Sequence, residues 1–140
     1  MRKKKHRIIV DTNLWISFLL SKRTSGLDKL FIEKSVIVIF SQELLEEFIE
    51  VARRPKLKKY FKLKDLEALL SQINLYAEFV SVQSAIDICR DKKDNFLLSL
   101  AIDSKANYLL TGDKDLLDIE LIGPTKIITM REFLNEIISN

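Results

Sequence analysis

The sequence predicts an α/β fold in which a mainly parallel sheet is covered by helices on both faces. Short apolar runs alternate along the whole chain with longer stretches of helical spacing. The runs are apolar at consecutive positions, as expected of strands buried on both faces, and parallel neighbours of that kind need helical crossovers. Taken in order, residues 7–10 (RIIV) and 35–40 (SVIVIF) are strongly β-branched strands, followed by strands at 77–82 (AEFVSV), 107–110 (NYLL) and 126–128 (KII), which makes five. Helical spacing marks residues 14–20, 27–33, 42–53, 63–75, 96–105 and 131–138. Ser41 precedes the third of these as a cap, and Thr129 with Glu132 forms a Thr-x-x-Glu capping box before the last.

The 140 residues contain 47% apolar and 31% charged residues with only 3 Gly and 2 Pro, a composition of ordered globular chains in which linkers are scarce. The expected organisation is a basic tail over residues 1–6 and a single domain over residues 7–140. At this length folding removes roughly 70% of the unfolded chain's surface from water, enough for a core without covalent staples. Cys89 is the sole cysteine, so no disulfide framework exists within the chain, and it reads as a small buried hydrophobe. With no signal-like or membrane-length apolar run, the expected setting is the reducing cytosol, with no membrane partner.

Charge is segregated. Of 23 basic residues, five are Arg2, Lys3, Lys4, Lys5 and Arg7, so the remaining 18 face 20 acidic residues and the body of the chain is mildly acidic. A second basic cluster, Arg53, Arg54, Lys56, Lys58, Lys59, Lys62 and Lys64, can form a phosphate-facing patch beside an acidic one. Its other reading is a solvated surface.

Ligand sites in folds of this class lie outside the carboxyl ends of the strands, so the polar residues that follow each strand are the informative ones. The first strand ends in Asp11-Thr12-Asn13, the second in Ser41 and the fourth in Thr111-Gly112-Asp113, while Asp91 and Asp94 precede the apolar helix at 96–105. Helix 42–53 carries Glu43, Glu46, Glu47 and Glu50. At about 100° per residue, Leu44, Leu45, Phe48, Val51 and Ala52 define its buried stripe, and Glu47 borders that stripe while Glu46 and Glu50 point away. A helix entering from the carboxyl end of the second strand would hold Glu47 near the rim that bears Asp11 and Asp113. Trp15, Phe18 and Phe48 fall at core spacing.

Four carboxylates from distant parts of the chain, Asp11, Glu47, Asp94 and Asp113, would repel one another in a shared cleft unless a cation joined them. Hard oxygen donors without thiolate or imidazole suit Mg²⁺ or Mn²⁺ better than zinc. Such an ion can activate water for in-line attack on phosphorus. The only histidine, His6, lies in the basic tail, which removes Ser-His-Asp and other histidine-based schemes. Taken singly, each acid also has an ordinary role: Asp11 and Asp94 as helix caps, Glu47 as a surface charge, Asp113 as a turn residue.

Residues 8–13 (IIVDTN), 41–47 (SQELLEE) followed by Arg53-Arg54-Pro55-Lys56, 91–95 (DKKDN) and 108–117 (YLLTGDKDLL) resemble the ordered motifs of PIN-domain nucleases, in particular the PIN toxins of prokaryotic toxin–antitoxin systems. The resemblance covers about residues 7–134. It implies a five-stranded parallel sheet and Mg²⁺- or Mn²⁺-dependent endonucleolytic cleavage of single-stranded RNA, with the family's acids falling on Asp11, Glu47, Asp94 and Asp113. Asn13, Ser41, Thr111 and Asp115 would orient carboxylates or metal-bound waters, or act as caps and turns. Arg53, Arg54, Lys56, Lys58 and Lys59 would meet RNA phosphates. A cognate antitoxin that covers or enters the acidic cleft and a homodimer are the implied partners.

Three other functions compete. A signalling receiver needs an acidic cluster after its first strand, where only Asp11 stands. A haloacid-dehalogenase-like phosphatase needs a second aspartate two residues after the first, and Asn13 occupies that position. A catalytically silent RNA-binding or regulatory PIN module would not need to keep all four acids.

Overall fold

A computed structural model of the chain describes residues 5–21, 36–59, 64, 67–68, 71, 75, 77–89 and 94–139, with the backbone alone at 18–21, 58 and 138–139. The helix expected at 27–33, most of that at 63–75, Asp91 and the tail residues 1–4 lie outside the described residues, as does the side chain of Phe18. The elements, in chain order, are β1 (His6–Val10), α1 (Thr12–Ser21), β2 (Val36–Phe40), α2 (Gln42–Ala52), α3 (Pro55–Lys58), β3 (Ala77–Phe79), α4 (Asn95–Ser104), β4 (Tyr108–Leu110), α5 (Lys114–Leu117), β5 (Leu121–Ile122), β6 (Thr125–Ile128) and α6 (Met130–Ser139).

The strands form one six-stranded sheet in the order β3-β2-β1-β4-β6-β5. All pairings are parallel except β5 with β6, so the five expected strands are present and parallel and a sixth is added at the edge. The addition is a tight hairpin about Gly123-Pro124. Gly123 sits at φ 54°, and a Cβ there would come within 3.0 Å of Ile102 Cδ1, so both backbone and packing ask for glycine. A two-residue strand carries no periodicity of its own, which is why the pattern missed it.

Both faces of the sheet are covered. Successive residues Ile8, Ile9 and Val10 are all fully buried. Alternation along β1 sends Arg7 and Ile9 to one face and His6, Ile8 and Val10 to the other. On the first face the Arg7 guanidinium donates to the Ser104 carbonyl at the end of α4 (2.9 Å). On the second, His6 meets Phe133 of α6 edge-on (6.3 Å), and Phe40, on the same face as Val38, the register partner of Ile8, stacks on Trp15 of α1 (5.7 Å). The result is a helix–sheet–helix sandwich around Trp15, Phe40, Phe48, Leu98, Leu109 and Phe133, all buried.

Local chemistry sets the element ends. The Ser41 hydroxyl accepts the Leu44 N–H (3.1 Å) and caps α2, and Thr129 and Glu132 make their reciprocal box before α6. The third strand is shorter than the apolar run suggests: pairing continues only to Val80, whose N–H donates to Phe40 (2.8 Å). Beyond it the chain runs along α4, held by three side chains spaced four residues apart on one helix face. Asp103 accepts from the N–H groups of Gln83 (2.6 Å) and Ser84 (2.8 Å), Ser99 from Ile86 (3.0 Å), and Asn95 from Ile88 (3.2 Å) and Cys89 (2.8 Å). The Ser84 hydroxyl and these N–H groups hold the Asp103 carboxyl below its ordinary range. Side-chain acceptors thus replace the sheet ladder for this stretch and fix the start of α4.

Candidate active site

The chain winds outward from β1 through β2 to β3, then returns to the other side of β1 with β4 and continues to β6. The strand order therefore reverses between β1 and β4, and the crevice at their carboxyl ends is where an open α/β sheet accepts ligands. Asp11 follows β1 and Thr111-Gly112-Asp113 follows β4, so the two segments face each other there. The Asp11 N–H donates to the Leu110 carbonyl (3.1 Å), continuing the ladder into the crevice.

Both oxygens of the buried Asp11 carboxylate are engaged. Oδ1 accepts the Leu14 N–H (2.8 Å) and closes the first turn of α1; Oδ2 accepts the Thr111 hydroxyl. Asp11 thus caps α1 while its other oxygen faces the segment that follows β4. Thr111 Oγ1 also accepts the Asp113 N–H (3.0 Å), so one buried hydroxyl spaces two aspartates. Asp113 Oδ1 in turn accepts the Asp115 N–H (2.9 Å) and caps α5. Asp115 contributes its backbone here.

Asp11 sits above its ordinary carboxyl value of 3.8. Burial is the main cause, and the negative charge of Asp113 adds to it, while hydrogen bonds from Thr111, Leu14 and Asn13 oppose.

Glu47 reaches the same rim. It is half-buried whereas Glu43, Glu46 and Glu50 are exposed, as the helical stripe predicted. Its Oε2 accepts the hydroxyl of Thr12 (2.8 Å), the residue after Asp11. The sequence places Thr12 in the Asp11-Thr12-Asn13 segment after the first strand but assigns it no partner, because the bond crosses 35 residues. Asp94 stands immediately before α4, at the end of that helix opposite the one that leads to β4. It occupies the N-cap position of α4, and its side chain makes no capping bond to that helix.

Two of the proposed orienting residues act differently. Asn13 is exposed and touches Asp11 through its backbone, and Ser41 serves α2 as its cap. The basic residues lie further out. Arg53, Arg54, Lys56 and Lys59 are exposed beyond the far end of α2, about 9 Å along the helix axis from Glu47 to Arg53. Arg54 pairs with Glu50 at 3.6 Å.

The donor set is all hard oxygen, which suits Mg²⁺ or Mn²⁺. Among the described residues no three of His, Cys, Asp and Glu stand close enough to grip one ion directly. Mg²⁺ tolerates that spacing, because it keeps several waters and takes only one or two carboxylates. No helix among the described residues is long and apolar enough to cross a membrane.

The chain is similar to the uncharacterized protein MJ1680 of Methanocaldococcus jannaschii, with 31% identity over 148 residues covering 97% of this chain and 94% of that protein. Its fold is similar to that of VapBC2 from Rickettsia felis, solved bound to a DNA fragment from their promoter. The TM-score is 0.58 at 16% identity, over 86% of this chain and 96% of that one. Residues 7–115 match the PIN domain family, a span that includes Asp11, Glu47, Asp94 and Asp113. The chain belongs to the PIN-domain family, whose members are generally nucleases.

Proposed function

We propose that this protein is a divalent-metal-dependent endoribonuclease that hydrolyses phosphodiester bonds of single-stranded RNA, and that it is the toxin of a toxin–antitoxin pair. The observation that carries the reading is the buried Asp11 at the switch point, coupled to Asp113 through Thr111 and flanked by Glu47 through Thr12. Asp11 and Asp113 would hold the ion, with Glu47 and Asp94 reaching it through its waters. Bound there, Mg²⁺ or Mn²⁺ would lower the pKa of a water and offset charge building on the phosphate. The chain's own part is to hold these carboxylates apart at one rim, and Thr111 spaces Asp11 from Asp113. Similarity to a VapBC complex supports a protein antitoxin as partner, which would cover the acidic rim. The resemblance to PIN toxins also favours a homodimer.

The direct test is cleavage of a single-stranded RNA by the purified full chain. Cleavage that needs Mg²⁺ or Mn²⁺ and stops with a chelator is expected; undiminished cleavage in chelator would leave the metal out of the reaction. RNA binding without cleavage under any divalent ion would favour the silent module.

The basic cluster is proposed to hold RNA phosphates, so a bound strand would run along α2 away from the acids. Single-strand affinity falls with salt by a log–log slope of roughly 0.7 per neutralised phosphate. Replacing Arg53, Arg54, Lys56, Lys58 and Lys59 with Gln should flatten the slope by about that amount for each phosphate no longer neutralised. An unchanged slope would return these residues to a solvated surface.

A further inference from the structure

We propose that Thr12 is a positioning residue of the acidic site, its hydroxyl holding the Glu47 carboxylate toward Asp11 and Asp113 for cation binding. The inference rests on the metal-dependent reading above and deepens it.

Three observations carry it. Asp11, the residue before α1, caps that helix by taking the Leu14 N–H, and the hydroxyl of Thr12, the first helical residue, donates to Glu47 of α2 at 2.8 Å. Thr12 is itself buried, so its hydroxyl has little water to bond with and Glu47 is its natural acceptor. One turn further along α1, Trp15 packs against Phe40 and Phe48, the latter adjacent to Glu47, so the core holds the two helices at the separation this bond requires. Glu47 has three side-chain torsions, and without a donor it would sample orientations away from the rim. A donated bond leaves the second carboxylate oxygen for a cation or its waters.

The experiment is Mn²⁺ binding to the full chain by calorimetry, with unfolding midpoints measured alongside, for the parent, Thr12→Ser, Thr12→Val and Thr12→Ala. Loss of an outer hydrogen-bonding partner of a metal ligand typically weakens affinity 10- to 100-fold. Thr12→Val and Thr12→Ala should therefore bind Mn²⁺ at least about tenfold more weakly, and Thr12→Ser should stay within about threefold of the parent. In a Glu47→Gln background the Thr12→Val change should cost no more than about twofold further, because the two residues act as one unit. That coupling separates positioning from a general structural role.

Parental affinity in folded Thr12→Val or Thr12→Ala, affinity in Thr12→Ser as low as in Thr12→Val, or full additivity with Glu47→Gln would each overturn the inference while leaving the metal-dependent reading standing. A parent chain that binds no Mn²⁺ would overturn both. If Thr12→Val and Thr12→Ala both fail to fold while Thr12→Ser is parental in stability and binding, the hydroxyl serves the fold, and the inference is likewise overturned.

Discussion

Asp11→Asn is expected to lower RNA cleavage by more than about 100-fold while leaving the metal-free protein at least as stable as the parent. The activity figure follows because even outer partners of metal ligands are worth roughly 10- to 100-fold, and Asp11 is an acid proposed above to hold the ion itself. The neutral amide keeps the shape and an oxygen for the Leu14 N–H. The Thr111 hydroxyl, able to donate or accept, can turn to receive the amide. What disappears is the charge.

The stability arm of this prediction has a definite sign. The Asp11 carboxyl is held above its ordinary value of 3.8 by burial first and by Asp113 second. The folded state therefore binds the proton more tightly than the unfolded chain. That contribution to stability is fully present below 3.8 and is lost as pH rises through the folded value. Above that window the metal-free parent carries a buried charge that Asp11→Asn lacks. Urea unfolding across this pH range in chelator should show the parent losing stability relative to the variant. A variant that cleaves at the parental rate with Mg²⁺ would remove Asp11 from the chemistry, and identical pH profiles would remove its electrostatic strain.

Trp15→Ala is expected to be the most destabilising single change where α1 packs on α2, at about 3–5 kcal/mol. Trp15 is only 2% exposed and lies between Phe40 of β2 (5.7 Å) and Phe48 of α2 (6.3 Å), so truncation opens a cavity at the junction of three elements. Domains are stable by about 5–15 kcal/mol in all, so a large part of that reserve would go. The urea midpoint should fall by more than about 1 M. A shift under about 0.5 M would mean that the neighbours collapse into the space. Because the same packing sets the distance from Thr12 to Glu47, folded Trp15→Ala should also bind Mn²⁺ more weakly than the parent.

Much of this protein is legible from short-range pattern. Ile8, Ile9 and Val10 are apolar in succession because their strand is buried on both faces, and the helical period alone separates Glu47 from Glu43, Glu46 and Glu50. Both signals repeat within a few residues, so neighbours in sequence carry them. The placement of Asp11 and Asp113 after strands could be read the same way, since strand ends are local.

Tertiary structure decided the rest. The sequence does not say that β4 inserts beside β1, and that insertion makes their shared end the point where strand order reverses, bringing Thr111 to Asp11 across 100 residues. Nor does it say that Thr12 spends its hydroxyl on Glu47, that β3 ends early because Asn95, Ser99 and Asp103 take over its backbone donors, or that β5 closes a hairpin at the edge. The physical reason is common to all four. A hydrogen bond between distant residues, or a carboxyl raised by burial, depends on how the whole chain excludes water, and no local period records that.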